Sequence, residues 1–456
     1  MGAWVAYTPE ILVVIGAAWA MFAEFLPGGD RGAAWAGAAV SAAAAVTAAL
    51  LPLTAKAPFP QLVFDGPARL ARVAMCALAA AWLLWTAGRG QGRVREGVAL
   101  GLFSLAGAMF RAEARELVTL MLAIELATMP AYVLMGYRRG DLRSLEGALK
   151  YFLLSMLTTL VMIYGFSFLY GLSGTTRYSG LDLSGAGALG IVVVLFAMVG
   201  MLAKLSAAPF HYWAPDAYAG AQPWAVAFVS TVPKIAGAVA MVRLVSALAP
   251  SVPLTGPVLA VVAGASMILG NLAALTQTDI RRMMAYSGVA HSGYLLLGVA
   301  ALSKPGFSAA VLYSIAYAVP TMGIMLVAAE EGSAIADFGG LSERRTATAW
   351  ATVVMLLSLV GIPPLVGFFG KLYLFTASLQ RGYVALVVIA VLMSVVSAAF
   401  YFRVVRSMFF GEEPAGPAEL VRSAPAAAAL AACVLAVVAL GLAAGPVLAT
   451  IGAFVR

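Results

Sequence analysis

The chain has 456 residues, 63% of them hydrophobic and 11% charged, with a formal net charge of +8 and a mean hydropathy of +0.97. That composition excludes a soluble globular domain and describes an all-α polytopic membrane protein. The positive balance comes mostly from loop arginines with no basic–aromatic cluster, so it suits an anionic lipid bilayer and speaks against nucleic acid as a partner.

A window of about 19 residues predicts about fourteen transmembrane helices. They fall at 8–27, 33–53, 69–87, 97–111, 116–136, 149–172, 188–210, 223–247, 256–276, 281–301, 307–329, 348–370, 383–410 and 425–447. The start MGAWVAYTPEI has no basic stretch of the kind that precedes a cleaved signal, so span 1 is expected to be retained. Cys76 and Cys433 both lie in apolar spans and read as small core hydrophobes. No loop is long enough for a soluble domain. No GxGxxG after a strand, Walker loop, CxxC set or paired-His motif is present, so no redox cofactor or nucleotide is expected in this chain.

Loops on one side carry fifteen of the 28 lysines and arginines and loops on the other carry ten, Arg72 and Arg111 among them. The richer side is expected to face the cytoplasm, which puts both termini outside. The three basic residues left over are Lys204, Lys234 and Lys371. A charge at bilayer depth costs at least about 2.5–3.5 kcal/mol, so an intramembrane lysine is a functional-site hypothesis by default. Pro209 cannot donate to the Leu205 carbonyl, and Pro233 cannot donate to that of Val229. Lysines beside broken backbone suit an ion path.

Span 7 (AKLSAAPF) and span 12 (GIPPLVGFFGK) each combine a lysine with a break, five spans apart. A unit with an odd number of helices, repeated in tandem, sits upside down the second time, and interrupted segments at matching positions point to the ion path. This reading divides the chain into N-terminal helices at 1–96, a first five-helix repeat at 97–247, an inverted second at 248–410 and a last helix at 411–456.

Glu125 lies inside span 5, five residues before Pro130. An isolated carboxylate there would take up a proton, and Lys204 is the expected counter-charge. The plainer alternative is a static ion pair that fixes packing. Lys371 has the alternative of snorkelling from a span end. His291, in span 10 among Ser287, Ser292, Tyr286 and Tyr294, either belongs to a proton wire or is a satisfied core histidine. His211 and Asp216 suit a cytoplasmic proton entry or an aromatic belt. Lys150 pairs with Glu146 at i, i+4 near the interface and has a lesser claim to the relay.

The chain resembles the antiporter-like membrane subunits of respiratory complex I (NADH–quinone oxidoreductase) over nearly its whole length. The resemblance is carried by TPEI at 8–11, LEGALKYFLLSMLTTLVMIYGFSFLYGLSGTT at 145–176 and KLSAAPFHYWAPDAYAGA at 204–221. STVPKIA at 230–236, GNLAALTQTDIRRMMAYSGVAHSGYLLLG at 270–298 and LVGIPPLVGFFGKLYLF at 359–375 complete it. It implies fourteen helices, two inverted five-helix repeats and broken helices 7 and 12. It implies that Glu125, Lys204, Lys234 and Lys371 match the family's acidic and basic relay positions. It implies a proton-translocating subunit in a bacterial inner membrane, whose partners are other membrane subunits and, through them, a peripheral redox arm. FMN, iron–sulfur clusters and quinone are then expected in those partners. A subunit of a multisubunit sodium/proton antiporter is the alternative, and a purely structural scaffold is a third reading. The chain stops soon after span 14, so the long lateral helix of the largest antiporter-like subunit is not expected. Asp279 departs from an expected neutral residue such as Asn, and the loop 330–347 opens with two acids, Glu330 and Glu331.

Overall fold

The computed structural model describes residues 3–22, 29–51, 59–89, 94–138, 140–413 and 423–452. The chain ends and the loop positions Lys56, Arg93, Arg139 and Arg422 lie outside them. Among the described residues the secondary structure is helical, with only three isolated β-bridges between loops. In lipid this is the solution that satisfies every backbone polar group within its own segment.

The fourteen spans follow in the expected order. Eleven are long and apolar enough to cross a bilayer on those grounds alone. The other three are span 4 (Val94–Glu113), with four charged residues near its ends, span 10 (Ile280–Ala300), which opens with two arginines, and span 12, which is split in two. Capping follows from sequence: Asp141 accepts from the backbone N–H of Arg143 and Ser144 at the head of Leu142–Ser173. Asp279 does the same for span 10 through Arg281 and Arg282, which gives the acid at that position a physical role.

Spans 8 and 11 form the centre. The membrane-length windows of Pro223–Leu248 and Lys304–Glu331 are wholly buried, whereas span 13 (Val384–Phe410) buries only 28% of its window and faces outward. Loops gather in two layers. One joins Leu62 to Ala114 and Glu116 to Arg177 through β-bridges and holds the bidentate Arg243–Asp65 pair at 2.8 and 2.6 Å. The other joins Asp279 to Ala334 and buries Glu330 and Glu331 against Arg89, Arg344 and Arg345. The two unexpected acids are therefore the cores of an ion-pair network that ties span 3 to the loop after span 11.

Span 7 runs as Gly187–Lys204, breaks, and resumes at Trp213–Gly220; span 12 runs as Thr346–Val360 and Val366–Leu379. Span 8 is interrupted as well, into Pro223–Val229 and Val232–Leu248, a third break beyond the two expected. Pro233 stands in the first turn of the second piece, where its missing N–H costs nothing. A second correction concerns charge. Arg72 and Arg111 are not loop residues: both lie within helices and are 2% and 0% exposed. Both stand within three residues of the ends of the predicted spans 69–87 and 97–111, where a basic residue reads as loop charge, whereas the helices run on to Gly66 and Glu113 and bury them.

Candidate functional site

Lys204 is the last residue of its half-helix, and its amine is buried. It donates to the Tyr132 hydroxyl at 3.1 Å and the Ser155 hydroxyl at 2.5 Å. The break beside it is closed from elsewhere. Trp213 Nε1 donates to the Ala203 carbonyl at 2.9 Å, and the Ser292 hydroxyl of span 10 donates to the Leu205 carbonyl that Pro209 leaves free. Glu125 is within electrostatic range of Lys204 but makes no ion pair with it. Its two carboxylate oxygens are buried and have no hydrogen-bond partner among the described residues. Lys204 therefore stands to Glu125 as a charge within range and not as a direct ion pair: Glu125 shares a face of span 5 with the exposed Leu122, Leu126 and Met129, while the Lys204 amine donates to hydroxyls of spans 5 and 6.

Lys234 sits two residues into the second piece of span 8, in the centre of the fold. Its amine donates to the Gly288 carbonyl at 3.1 Å and lies 4.8 Å from the centroid of the Tyr317 ring. His291 follows on the same helix as Gly288, with its ring 4.9 Å from that of Tyr317. Its Nδ1 shares a 2.7 Å hydrogen bond with the Tyr313 hydroxyl, and its Nε2 a 3.3 Å one with that of Tyr401. Tyr401 passes on to Ser287 at 2.5 Å. The histidine is both satisfied and wired, because every partner is a hydroxyl that can donate or accept.

Lys371 Nζ lies 4.9 Å from the centroid of the Tyr294 ring, which meets the His291 ring edge-on at 5.8 Å. It does not snorkel: it is buried, and its amine donates to the carbonyls of Leu359 and Val360 at 3.1 and 2.9 Å and to Ser394 at 2.7 Å. Those carbonyls end the first half of span 12. A half-helix C-terminus carries partial negative charge and bare carbonyls, so an ammonium is the natural cap. The order of lysine and break differs between spans 7 and 12, yet both place the lysine at the C-terminal end of a first half-helix.

Lys150 lies off this row. It is 43% exposed and contacts Glu146 at 2.7 Å and Asp216 at 2.9 Å. It lines a cavity of about 460 Å³ with His211, Asp216, Arg282 and Tyr286, beside the second half of span 7. Sequence reasoning missed Arg111. Its guanidinium reaches the Pro233 carbonyl at 3.5 Å and Met201 Sδ at 3.8 Å, so it touches the spans of both Lys204 and Lys234, and no carboxylate pairs with it among the described residues. An arginine cannot give up its proton in a protein, so it contributes a fixed positive charge beside the spans of both lysines.

A family model described as NADH:quinone oxidoreductase/Mrp antiporter, transmembrane, matches residues 114–397. The NADH-quinone oxidoreductase subunit N of Rhodospirillum rubrum is 38% identical over 375 residues, 77% of each chain. That of Heliobacterium modesticaldum is 40% identical over 360 residues, 76% of this chain and 75% of the other. Among solved structures, a chain of respiratory complex I from Thermus thermophilus superposes with a TM-score of 0.84 at 29% identity, covering 98% of this chain and all of that one. A chain of the Mrp complex from Dietzia sp. reaches the same TM-score at 21% identity, covering 99% and 96%, a likeness of fold.

Proposed function

The chain belongs to the family of transmembrane subunits shared by NADH:quinone oxidoreductases and Mrp antiporters, and from that premise we propose that it is the non-redox, proton-translocating subunit of a bacterial NADH–quinone oxidoreductase. It is a multi-pass membrane protein. In this reading it sits in the inner membrane beside other membrane subunits, with FMN, iron–sulfur clusters and quinone in its partners. Residues 97–247 and 248–410 act as two inverted halves, each with a broken helix, flanked by helices at 1–96 and 411–456.

One observation carries the proposal: Lys204, Lys234 and Lys371 are all buried among hydroxyls and carbonyls, and the polar groups of His291 and its tyrosines lie between the last two. An ammonium without a carboxylate depends on neighbouring charge for its stability. A change of charge at Glu125 then acts on Lys204, Arg111 holds a constant field beside the spans of Lys204 and Lys234, and His291 carries a proton between Lys234 and Lys371 along its two tyrosine bonds. The Lys150–Asp216 cavity, lined also by His211, supplies water-side access. The relatives, at 38 and 40% identity, favour this reading over a sodium/proton antiporter.

The test begins with the intact complex purified by a tag on this chain. Mass spectrometry should find a redox arm; its absence points to the antiporter. Glu125→Gln and Lys204→Ala should then each assemble and lose pumping in reconstituted vesicles, with electron transfer falling in parallel. Normal pumping by both variants would leave the scaffold reading in place.

A further inference from the structure

The relay leaves one buried charged cluster unused. Glu10 of span 1 (Thr8–Phe22), Arg72 of span 3 (Gly66–Arg89) and Glu113 at the end of span 4 meet beneath the loop layer that joins Leu62 to Ala114. None is more than 2% exposed. Arg72 Nη1 lies 3.1 Å from Glu10 Oε1 and 3.3 Å from Glu113 Oε1. One nitrogen therefore serves two carboxyls. The second Glu10 oxygen, both Glu113 oxygens and the nearby Tyr7 hydroxyl are buried without a hydrogen-bond partner among the described residues.

Charge does not balance here. Two carboxylates against one guanidinium leave a buried net charge of one unit. The other groups that face the cluster do not cancel it: Tyr7 and Cys76 are ordinarily neutral, and Arg243 of span 8 is spent on Asp65. The Phe64 ring covers the guanidinium at 4.7 Å and packs on Tyr7, which keeps bulk water off. Carboxylates that crowd one cation in a dry site repel each other, and a proton placed between them removes both the repulsion and the surplus charge. That proton also lets one unpartnered carboxyl oxygen donate to another.

We propose that Glu10 and Glu113 share one exchangeable proton across Arg72, forming a proton-holding site outside the row of lysines. The span that ends in Glu113 also carries Arg111, whose guanidinium reaches the Pro233 carbonyl beside Lys234. On the other side, the Asp65–Arg243 pair is 19% and 14% exposed and opens the site toward the loop layer. The position suits the water-side end of a route that leaves the row at Lys234. That use rests on the proposed function above; the proton itself does not.

The test is difference infrared spectroscopy of the intact, reconstituted complex during turnover, in water and in heavy water. The expected result is a protonated-carboxyl carbonyl band that shifts in heavy water and is lost in both Glu10→Gln and Glu113→Gln. Both variants should assemble, because each leaves Arg72 paired with one carboxylate. A spectrum without such a band overturns the proposal, as does a band that does not exchange. Failure of both variants to assemble overturns it too, since a site holding a proton tolerates a neutral isostere. The spectra decide this whether or not Lys204→Ala pumps, so the two readings fail separately.

Discussion

Gly288 shows how closely single residues set the relay. A Cβ at this position would come within 2.7 Å of Lys234 Nζ and 2.8 Å of the Tyr317 hydroxyl. Both are ends of flexible side chains, so they can move aside without repacking the helix, but the amine must then leave the Gly288 carbonyl. A hydrogen bond to a charged group is worth about 1.5–3 kcal/mol, roughly tenfold or more in a rate or equilibrium. Gly288→Ala is expected to assemble normally and to cut proton pumping by about tenfold, although it changes no charge. Unaltered pumping in vesicles would show that the amine does not need that carbonyl. At this scale the sequence was partly legible. Lys204, Lys234 and Lys371 stand out because each is set in an apolar run and no loop accounts for it. Arg72, Arg111 and Glu113 did not, because they lie within a few residues of predicted span ends, where a window average cannot tell a buried charge from a loop.

At the scale of elements, the breaks are where sequence and structure meet most closely. The prolines marked where carbonyls come free, and span 7 indeed stops at Lys204 and span 12 at Val360. What closes each break was not legible, because the partners come from distant segments. The Leu205 carbonyl takes the hydroxyl of Ser292, 87 residues away. The span 12 carbonyls take Lys371 itself. Ser292 thus joins the first half to the second at the point where the helix is interrupted. Ser292→Ala should leave a buried carbonyl bare, at a cost of about 1–3 kcal/mol. Thermal inactivation of the purified complex measures this: the variant should lose activity at a lower temperature, with its specific pumping at low temperature kept. An unchanged inactivation curve would mean that the break does not depend on this bond.

Across the whole molecule, the loop contacts fix the alternation of the spans, and burial then sharpens the orientation. Contacts within each layer place Arg89, Arg281, Arg344, Arg345 and Arg403 on one side and Arg177, Arg243 and Arg381 on the other. The sequence set fifteen basic residues against ten. Arg72 and Arg111 belong to the smaller group, yet both are buried in helices, where they are not loop charges held back from translocation. Removing those two leaves eight against fifteen, nearly a twofold bias toward the side that carries the Lys150–Asp216 cavity. That side should face the cytoplasm, and the Glu10–Arg72–Glu113 cluster should lie toward the opposite face, where a proton leaves. A reporter fused after Arg456 is expected to be active only outside the cytoplasm, and one inserted in the loop 140–142 only inside. The opposite result at either place would invert the path: protons would then enter past the N-terminal cluster and leave through the cavity beside His211.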